Sequence, residues 1–124
     1  MARVYPTTAA RRVLAASTLT GDEVVNHQGE DLGKIEDLMI DLEGGRIAYA
    51  VLSFGGFLGM GDKLFAIPWD AMTVDMASKR LVLNVDKDLL KQAPGFDKNN
   101  WPDMTDPAWG AELYTYYGYR PYWE

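Results

Sequence analysis

The sequence predicts a single, mainly β domain of five or six short strands, arranged as a barrel or a sandwich and followed by a short helical extension. Short apolar segments separated by glycine- and asparagine-rich turns indicate the strands, and helical segments are recognisable only after residue 86. The chain has 124 residues, 48% of them hydrophobic, which suits one domain with its own core. Sequential hairpins that precede any helix argue against a doubly wound α/β fold.

Six short segments have the length and composition of β-strands. They occupy residues 24–25, 32–42, 46–54, 63–69, 72–75 and 80–85. In the second segment, Leu38, Ile40 and Leu42 share one face. A one-residue slip near Glu36 and Asp37 predicts a β-bulge in the same segment.

The third and fourth segments carry the clearest positional signals. Residues 46–54 are apolar on both faces, so we expect both faces of this strand to be covered. Pro68 lies at the end of the fourth segment and indicates a strand end or a sheet edge. Residues 17–21, before the first segment, have the composition of a turn, and so do residues 26–29, which follow it.

An acidic stretch leads into the turn between the second and third segments. It contains Glu36, Asp37, Asp41 and Glu43, and the turn itself is glycine-rich at residues 44–45. On an unbulged strand Asp37 and Asp41 would lie about 13 Å apart, too far for a pair of catalytic carboxylates. We therefore interpret these acids as solvated strand residues, and we expect Asp41 to bond the turn amides.

The last third of the chain predicts two helices. Residues 88–93 have helical character and are stopped by Pro94. Asp106 followed by Pro107 is typical of a capped helix start, which predicts a helix from there to about Tyr117.

Aromatic residues are concentrated in this extension. Five of the seven tyrosines lie after residue 113, and three of the four tryptophans lie after residue 100. Tyr and Trp anchor protein interfaces because they offer large contact areas at low entropic cost. The alternative is that they pack onto the chain's own barrel or onto a sister subunit. The candidate interaction surface comprises Phe57, Leu58, Trp101, Trp109, Tyr116, Tyr117, Tyr119 and Trp123.

The glycine-rich loop at residues 55–63 has nearly the spacing of a phosphate-binding loop. Asp62 occupies the position where that motif requires lysine, and its carboxylate would repel phosphate. The loop also joins two predicted strands, so no helix N-terminus is available for an anion. We predict a structural turn in which Phe57 and Leu58 cover a barrel end or form an exposed tip.

Charge and composition argue against several further functions. The net charge is −6, and residues 1–20 contain three arginines and no acidic residue, so residues 21–124 carry −9. An acidic body repels phosphate backbones, and we expect no nucleic-acid partner. With no cysteine and one histidine, His27, we predict no metal, no cofactor and no catalytic triad. No apolar run is long enough to span a membrane, and we expect a cytoplasmic protein.

The segments taken together resemble a known family. The matching segments are residues 21–26, 29–37, 40–42 and 45–51, the glycine loop, and Ala-Ile-Pro-Trp at 66–69. In this order they resemble the PRC-barrel family over residues 17–86, and residues 94–110 look like the extension of a stand-alone bacterial subgroup. The resemblance implies a small six-stranded barrel that serves as an adaptor or assembly module. It transfers no catalytic residue, because the family has no shared active site.

We therefore divide the chain into a flexible arm at residues 1–16, a PRC-like barrel at 17–86 and an extension at 87–124. We expect a non-enzymatic module that acts through protein–protein contacts and associates with itself, most simply as a dimer. Two alternatives stay open. One is a small-ligand-binding protein with a pocket between barrel and extension, lined by Trp101, Trp109 and tail tyrosines. The other is a peripheral partner of a membrane photosynthetic or electron-transfer complex, which follows from family analogy alone.

Overall fold

Six strands, three helices and a 3₁₀ turn make up the part of the chain that a computed structural model describes, residues 12–54 and 63–124. The strands are β1 (Glu23–Val25), β2 (Asp31–Asp41), β3 (Arg46–Phe54), β4 (Lys63–Pro68), β5 (Met72–Asp75) and β6 (Arg80–Leu83). The helices are α1 (Ala16–Leu19), α2 (Lys87–Lys91) and α3 (Pro107–Tyr116), and the 3₁₀ turn is Trp69–Ala71. All six predicted strands and both predicted helices are therefore present, close to their expected bounds.

The strands form one sheet with the order β4-β3-β2-β1-β6-β5. Neighbouring strands are antiparallel, except that β1 and β6 are parallel. The 3₁₀ turn leads from β4 at one edge directly to β5 at the other, so the sheet must curl to bring its two edges together. The result is the mainly β, barrel-type fold that the sequence predicts, in the form of a curled six-stranded sheet. Pro68 ends an edge strand, as expected.

The predicted turn at residues 17–21 is partly wrong, because a single turn of α-helix occupies its first half. The N–H of Thr18 donates to the carbonyl of Ala15 at 2.9 Å, and the N–H of Thr20 donates to that of Ala16 at 3.1 Å. The short helix buries Leu19 in the core. The composition rich in Ser and Thr favoured a turn, but burial of Leu19 and the local hydrogen bonds stabilise one helical turn.

Strand β3 lies in the interior of the domain, and every residue from Ala48 to Phe54 is buried. One face carries Tyr49, which contacts α3. Ala50 and Leu52 alternate with Tyr49 and pack in the hydrophobic core. The prediction that both faces of this strand are covered is confirmed.

Two bulges bend the hairpin formed by β2 and β3. Ile35 lies opposite Leu52 and Asp37 lies opposite Val51, so the intervening Glu36 is the extra residue that the sequence predicts. A second bulge is not evident from the sequence: Met39 pairs with Tyr49 and Ile40 with Ile47, which leaves Ala48 as the extra residue of β3. Beyond these bulges the face shared by Leu38, Ile40 and Leu42 leaves the core, since Leu38 is buried and the other two are exposed.

The extension covers the outer edge of β4. Leu64 and Phe96 exchange backbone hydrogen bonds of 3.0 and 2.8 Å, so the chain after α2 adds one antiparallel bridge to that edge. Gly95 permits this approach, because a Cβ there would lie 2.9 Å from the Leu64 carbonyl oxygen. Further along, the carboxylate of Asp106 accepts the N–H of Ala108 at 2.9 Å and caps α3 as predicted.

Candidate interaction site

Five aromatic rings from two distant parts of the chain meet beside β3. Tyr49 packs against Trp109 and Tyr114 of α3, with ring centroids 5.3 and 5.6 Å apart. Tyr122 and Trp123 lie on the other side, and each ring centroid is 5.8 Å from that of Tyr114. We call these five residues the aromatic cluster. Edge-to-face contacts of this kind stabilise a fold beyond the area they bury, so the cluster holds the extension against the barrel.

Tyr114 is the centre of the aromatic cluster. Its side chain is fully buried, and its hydroxyl donates to the carbonyl of Ala48 at 2.8 Å. Because Ala48 is the extra residue of the β3 bulge, this hydroxyl provides a partner for a carbonyl outside the regular ladder. Burial raises the pKa of Tyr114, which keeps its hydroxyl protonated and able to donate.

Gly110 makes room for the rings in the middle of α3. A Cβ at this position would lie 2.8 Å from the Cη2 atom of Trp123 and would overlap the hydroxyl of Tyr49. Glycine inside a helix costs about 1 kcal/mol relative to alanine. At this position it allows two rings to approach the helix backbone from opposite parts of the chain.

Asp41 connects the β2–β3 hairpin to the C-terminal residues. One carboxylate oxygen accepts the N–H of Glu43 at 2.9 Å and that of Gly44 at 3.4 Å, which confirms its predicted role in the turn. The other oxygen accepts the hydroxyl of Tyr122. These hydrogen bonds, that from Tyr122 foremost, hold the pKa of Asp41 below its ordinary value of 3.8. The carboxylate thus stays ionised and is engaged structurally.

Arg46 lies beside Tyr122 and forms an ion pair with Asp70. Its guanidinium carbon lies 4.2 Å from the centroid of the Tyr122 ring. Its terminal nitrogen lies 2.9 Å from a carboxylate oxygen of Asp70. Arg46 therefore stacks on Tyr122 and pairs with Asp70, and after the hydrogen bonds to Asp41 its charge also contributes to the lowered pKa of that carboxylate.

An apolar cleft of about 570 Å³ opens between the hairpin and the C-terminal residues. Its walls include Met39, Ile40, Leu42, Pro107, Tyr122 and Trp123. Leu42 is 88% exposed, Ile40 50% and Trp123 42%. We call this feature the hairpin–tail cleft. Exposed large apolar side chains are ordinary when scattered, but a group of them on one concave surface marks a site of protein contact.

A second cavity of about 440 Å³ lies between the barrel and the extension. It is lined by Lys63, Phe96, Asn100, Trp101 and Trp109, among others. The Phe96 and Trp101 rings are 5.1 Å apart, and the indole N–H of Trp101 donates to the carbonyl of Lys98 at 2.8 Å. The tryptophans named in the ligand-binding alternative therefore line one cavity, although the tail tyrosines do not.

The predicted interaction residues separate into two groups. Trp101, Tyr119 and Trp123 are exposed, whereas Tyr117 is buried and Trp109 and Tyr116 are half-buried. The Tyr116 hydroxyl donates to the carbonyl of Leu89 at 2.8 Å, which fastens α3 to α2.

Phe57 and Leu58 lie outside the described residues. Ile40, Leu42 and Tyr49 are not among the interaction residues predicted from the sequence. The signal for the first two was present, because two apolar residues flank the turn-forming Asp41 at the hairpin tip.

The described residues contain no group of three His, Cys, Asp or Glu side chains placed to hold a metal ion. His27 is exposed in the turn that follows β1. Asp37 accepts the N–H of Leu38 at 2.8 Å, and Asp41 accepts hydrogen bonds from the turn amides and Tyr122, so these two acids of the hairpin serve local structure. Within residues 12–54 and 63–124, no helix is long and apolar enough to cross a membrane.

Comparison with protein-family models supports the fold. The model of the PRC-barrel domain family matches residues 11–90, a range that contains the barrel predicted from the sequence. Among curated proteins, none matches the chain. One solved structure that matches is a putative 16S ribosomal RNA processing protein, RimM, from Pseudomonas aeruginosa, with 22% identity and a TM-score of 0.41. The match covers 60% of this chain and 45% of that one, so this chain corresponds to less than half of that protein.

Proposed function

Since the chain belongs to the PRC-barrel domain family, we propose that it is a non-enzymatic assembly module that binds another protein through the hairpin–tail cleft. The observation that carries this proposal is the grouping of Ile40, Leu42 and Trp123, all exposed, on one concave surface. Burying such residues against a partner supplies about 25 cal/mol for each Å² of apolar surface removed from water. A cleft with aromatic and aliphatic walls is the usual location of strong contacts in an interface.

The polar groups of the cleft support a binding role over a catalytic one. Asp41 is tied to Tyr122 and to the turn amides, and its lowered pKa makes it a weak base. Asp106 accepts the N–H of Ala108 as the cap of α3. A catalytic pair of acids needs two carboxyl groups with different pKa values converging on one substrate. Of the three acids that line the cleft, Asp41 is committed to the hairpin turn and Asp106 to the helix cap, which leaves Glu43 without such a second carboxyl group.

A capture experiment with matched variants tests the proposal. We compare the full chain, Leu42→Asp and Val13→Asp as bait in lysate of the native host, followed by quantitative mass spectrometry. Val13 is 82% exposed and lies outside the cleft lining, so it matches Leu42 in exposure and in the change of charge. We expect the specific partner to be lost with Leu42→Asp and retained with Val13→Asp. Equal recovery of every captured protein by all three baits would contradict the proposed function.

Self-association, the form of assembly that the sequence analysis favours, is tested separately by sedimentation velocity. A dimer that uses the hairpin–tail cleft would dissociate in Leu42→Asp and persist in Val13→Asp. If the sedimentation coefficient stays at the monomer value up to high micromolar concentration, self-association is excluded and the partner must be a different protein.

The cavity that contains Trp101 and Trp109 favours a second candidate function, the binding of a small ligand. Its aromatic walls suit a planar ring, and its lining carries one cation, Lys63, and one carboxylate, Asp97. Isothermal titration calorimetry with an aromatic carboxylate such as indole-3-acetate measures this. We expect saturable binding that Trp101→Ala weakens about tenfold, and the absence of binding would exclude this ligand class.

A further inference from the structure

Within residues 12–54 and 63–124, strand β2 is paired on one side only along its second half. Strand β1 pairs with its first residues, up to Lys34, and the backbone of Gly21 and Asp22 extends the pairing to Ile35. From Asp37 to Asp41, the strand pairing found in the described residues is with β3. We call the side of β2 that faces away from β3 over residues 37–41 the open edge, because no strand of the described part of the chain pairs with it.

At the open edge, an adjacent side chain is the hydrogen-bond partner of one backbone N–H. The N–H of Leu38 donates to the carboxylate of Asp37, its own neighbour, at 2.8 Å. Because backbone groups alternate along a strand, those of Ile40 face the same side as those of Leu38. An edge amide satisfied by an adjacent side chain is ready to exchange that partner for the carbonyl of an added strand.

The charge around the open edge selects the kind of segment that would fit. Residues 36–43 contain four acidic residues and no basic one, and the nearby Arg46 is already paired with Asp70. A second copy of this strand would bring acids opposite acids, which is destabilising. A strand with lysine or arginine would instead place opposite charges across the new pair. Exposed Ile40 would contact an apolar residue of that strand.

We propose that the open edge of β2 binds an extended, basic segment of a partner protein by strand addition. On binding, the Leu38 N–H transfers from the Asp37 carboxylate to a carbonyl of the added strand, and that carboxylate then pairs with a basic side chain. Backbone hydrogen bonds provide the affinity and the acidic flank provides the selectivity. This inference rests on the proposed protein-binding function and names the chemistry of its partner.

The test uses the full chain and a synthetic peptide, acetyl-Lys-Val-Lys-Ile-Lys-Val-Lys-amide. Binding is measured by fluorescence anisotropy, and exchange of the Leu38 and Ile40 amide protons is followed by NMR. We expect saturable binding and slower exchange at both amides. A peptide of the same sequence with every backbone amide N-methylated keeps its charge but has no backbone N–H to donate from either edge, so it cannot add to a sheet. It should bind at least about tenfold more weakly.

Three variants of the protein separate charge from backbone pairing. Asp37→Asn keeps a hydrogen-bond acceptor and removes one charge, and we expect about fivefold weaker binding. Glu112→Gln removes one exposed charge from α3 and should leave affinity unchanged. Ile40→Pro removes the outward N–H and should abolish binding; because edge positions tolerate proline, the barrel should remain folded. If this variant does not fold, the N-methylated peptide on the native chain still decides the question.

Two results would overturn the inference. One is equal affinity for the parent and N-methylated peptides, which would show attraction to an acidic surface without strand addition. The other is unchanged exchange at Ile40 on saturation with peptide. Either result leaves the proposed function standing if Leu42→Asp still loses the captured partner. Met39, Ile40 and Asp41 belong to both surfaces, but Leu42 lines the hairpin–tail cleft and lies outside residues 37–41 of the open edge.

Discussion

Helix α3 and the tip of the β2–β3 hairpin both carry large apolar side chains, and these side chains have opposite fates. In α3, Leu113 and Tyr114 are buried against the barrel. At the hairpin tip, Ile40 and Leu42 extend past the core into solvent. The difference arises because α3 finds a complementary surface on β3 of its own chain, whereas the bulged hairpin projects beyond it. Apolar character alone therefore does not separate a residue that builds the fold from one that offers an interface.

Tyr114→Ala, which removes a buried ring of α3, is expected to have the largest effect on stability. Removing a fully buried ring leaves a cavity and deprives the Ala48 carbonyl of its donor. We expect the free energy of unfolding in urea to fall by about 3–5 kcal/mol. Tyr119→Ala, at an exposed position, should cost less than about 1 kcal/mol. Similar losses in the two variants would show that the extension does not pack on the barrel.

A finer test compares two buried hydroxyls of the same helical region. That of Tyr114 donates to Ala48, whereas that of Tyr117 has no hydrogen-bond partner among the described residues. Tyr114→Phe should reduce the free energy of unfolding by about 1–2 kcal/mol, and Tyr117→Phe should be neutral or slightly stabilising. Chemical denaturation of both variants measures the difference. A larger loss for Tyr117→Phe would contradict the placement of these rings.

The link between the hairpin and the tail predicts a dependence on acid pH. The pKa of Asp41 is lowered, mainly by the hydrogen bond from Tyr122, so its stabilising contribution is present above its ordinary value of 3.8. That contribution is lost as pH falls through the lowered pKa of the folded state. Between about pH 5 and about pH 2, the Tyr122→Phe variant should therefore lose less unfolding free energy than the native chain. Denaturation curves across that range, compared with the native chain, check this; identical pH profiles would exclude the link.

The smallest effect on stability is expected at Leu42, an exposed residue of the hairpin–tail cleft. Because Leu42 is almost fully exposed, Leu42→Asp should change the free energy of unfolding by less than about 0.5 kcal/mol. The same variant should lose the captured partner. Thermal denaturation alongside the capture experiment separates the two effects. A marked drop in the melting temperature would mean that Leu42 supports the fold and is not a contact residue.

Much of the local structure could be predicted from the sequence. The bulge at Glu36, the turn bonds of Asp41 and the cap formed by Asp106 each depend on a few adjacent residues, and all three are present. The bulge at Ala48 could not be predicted, because no break in the apolar run 47–52 marks it. Its carbonyl is satisfied by Tyr114, 66 residues away.

The strands, most of the turns, the two C-terminal helices and the resemblance to the PRC-barrel family could all be predicted from the sequence, and the family match to residues 11–90 supports that resemblance. These features follow from side-chain periodicity, turn chemistry and capping, which act over a few residues. The three-dimensional fold was needed to show which aromatic rings are buried, that Ile40, Leu42 and Trp123 share one cleft, and that the described part of the chain leaves an open edge on β2. Exposure depends on which distant surface reaches a side chain, and spacing along the chain does not contain that information.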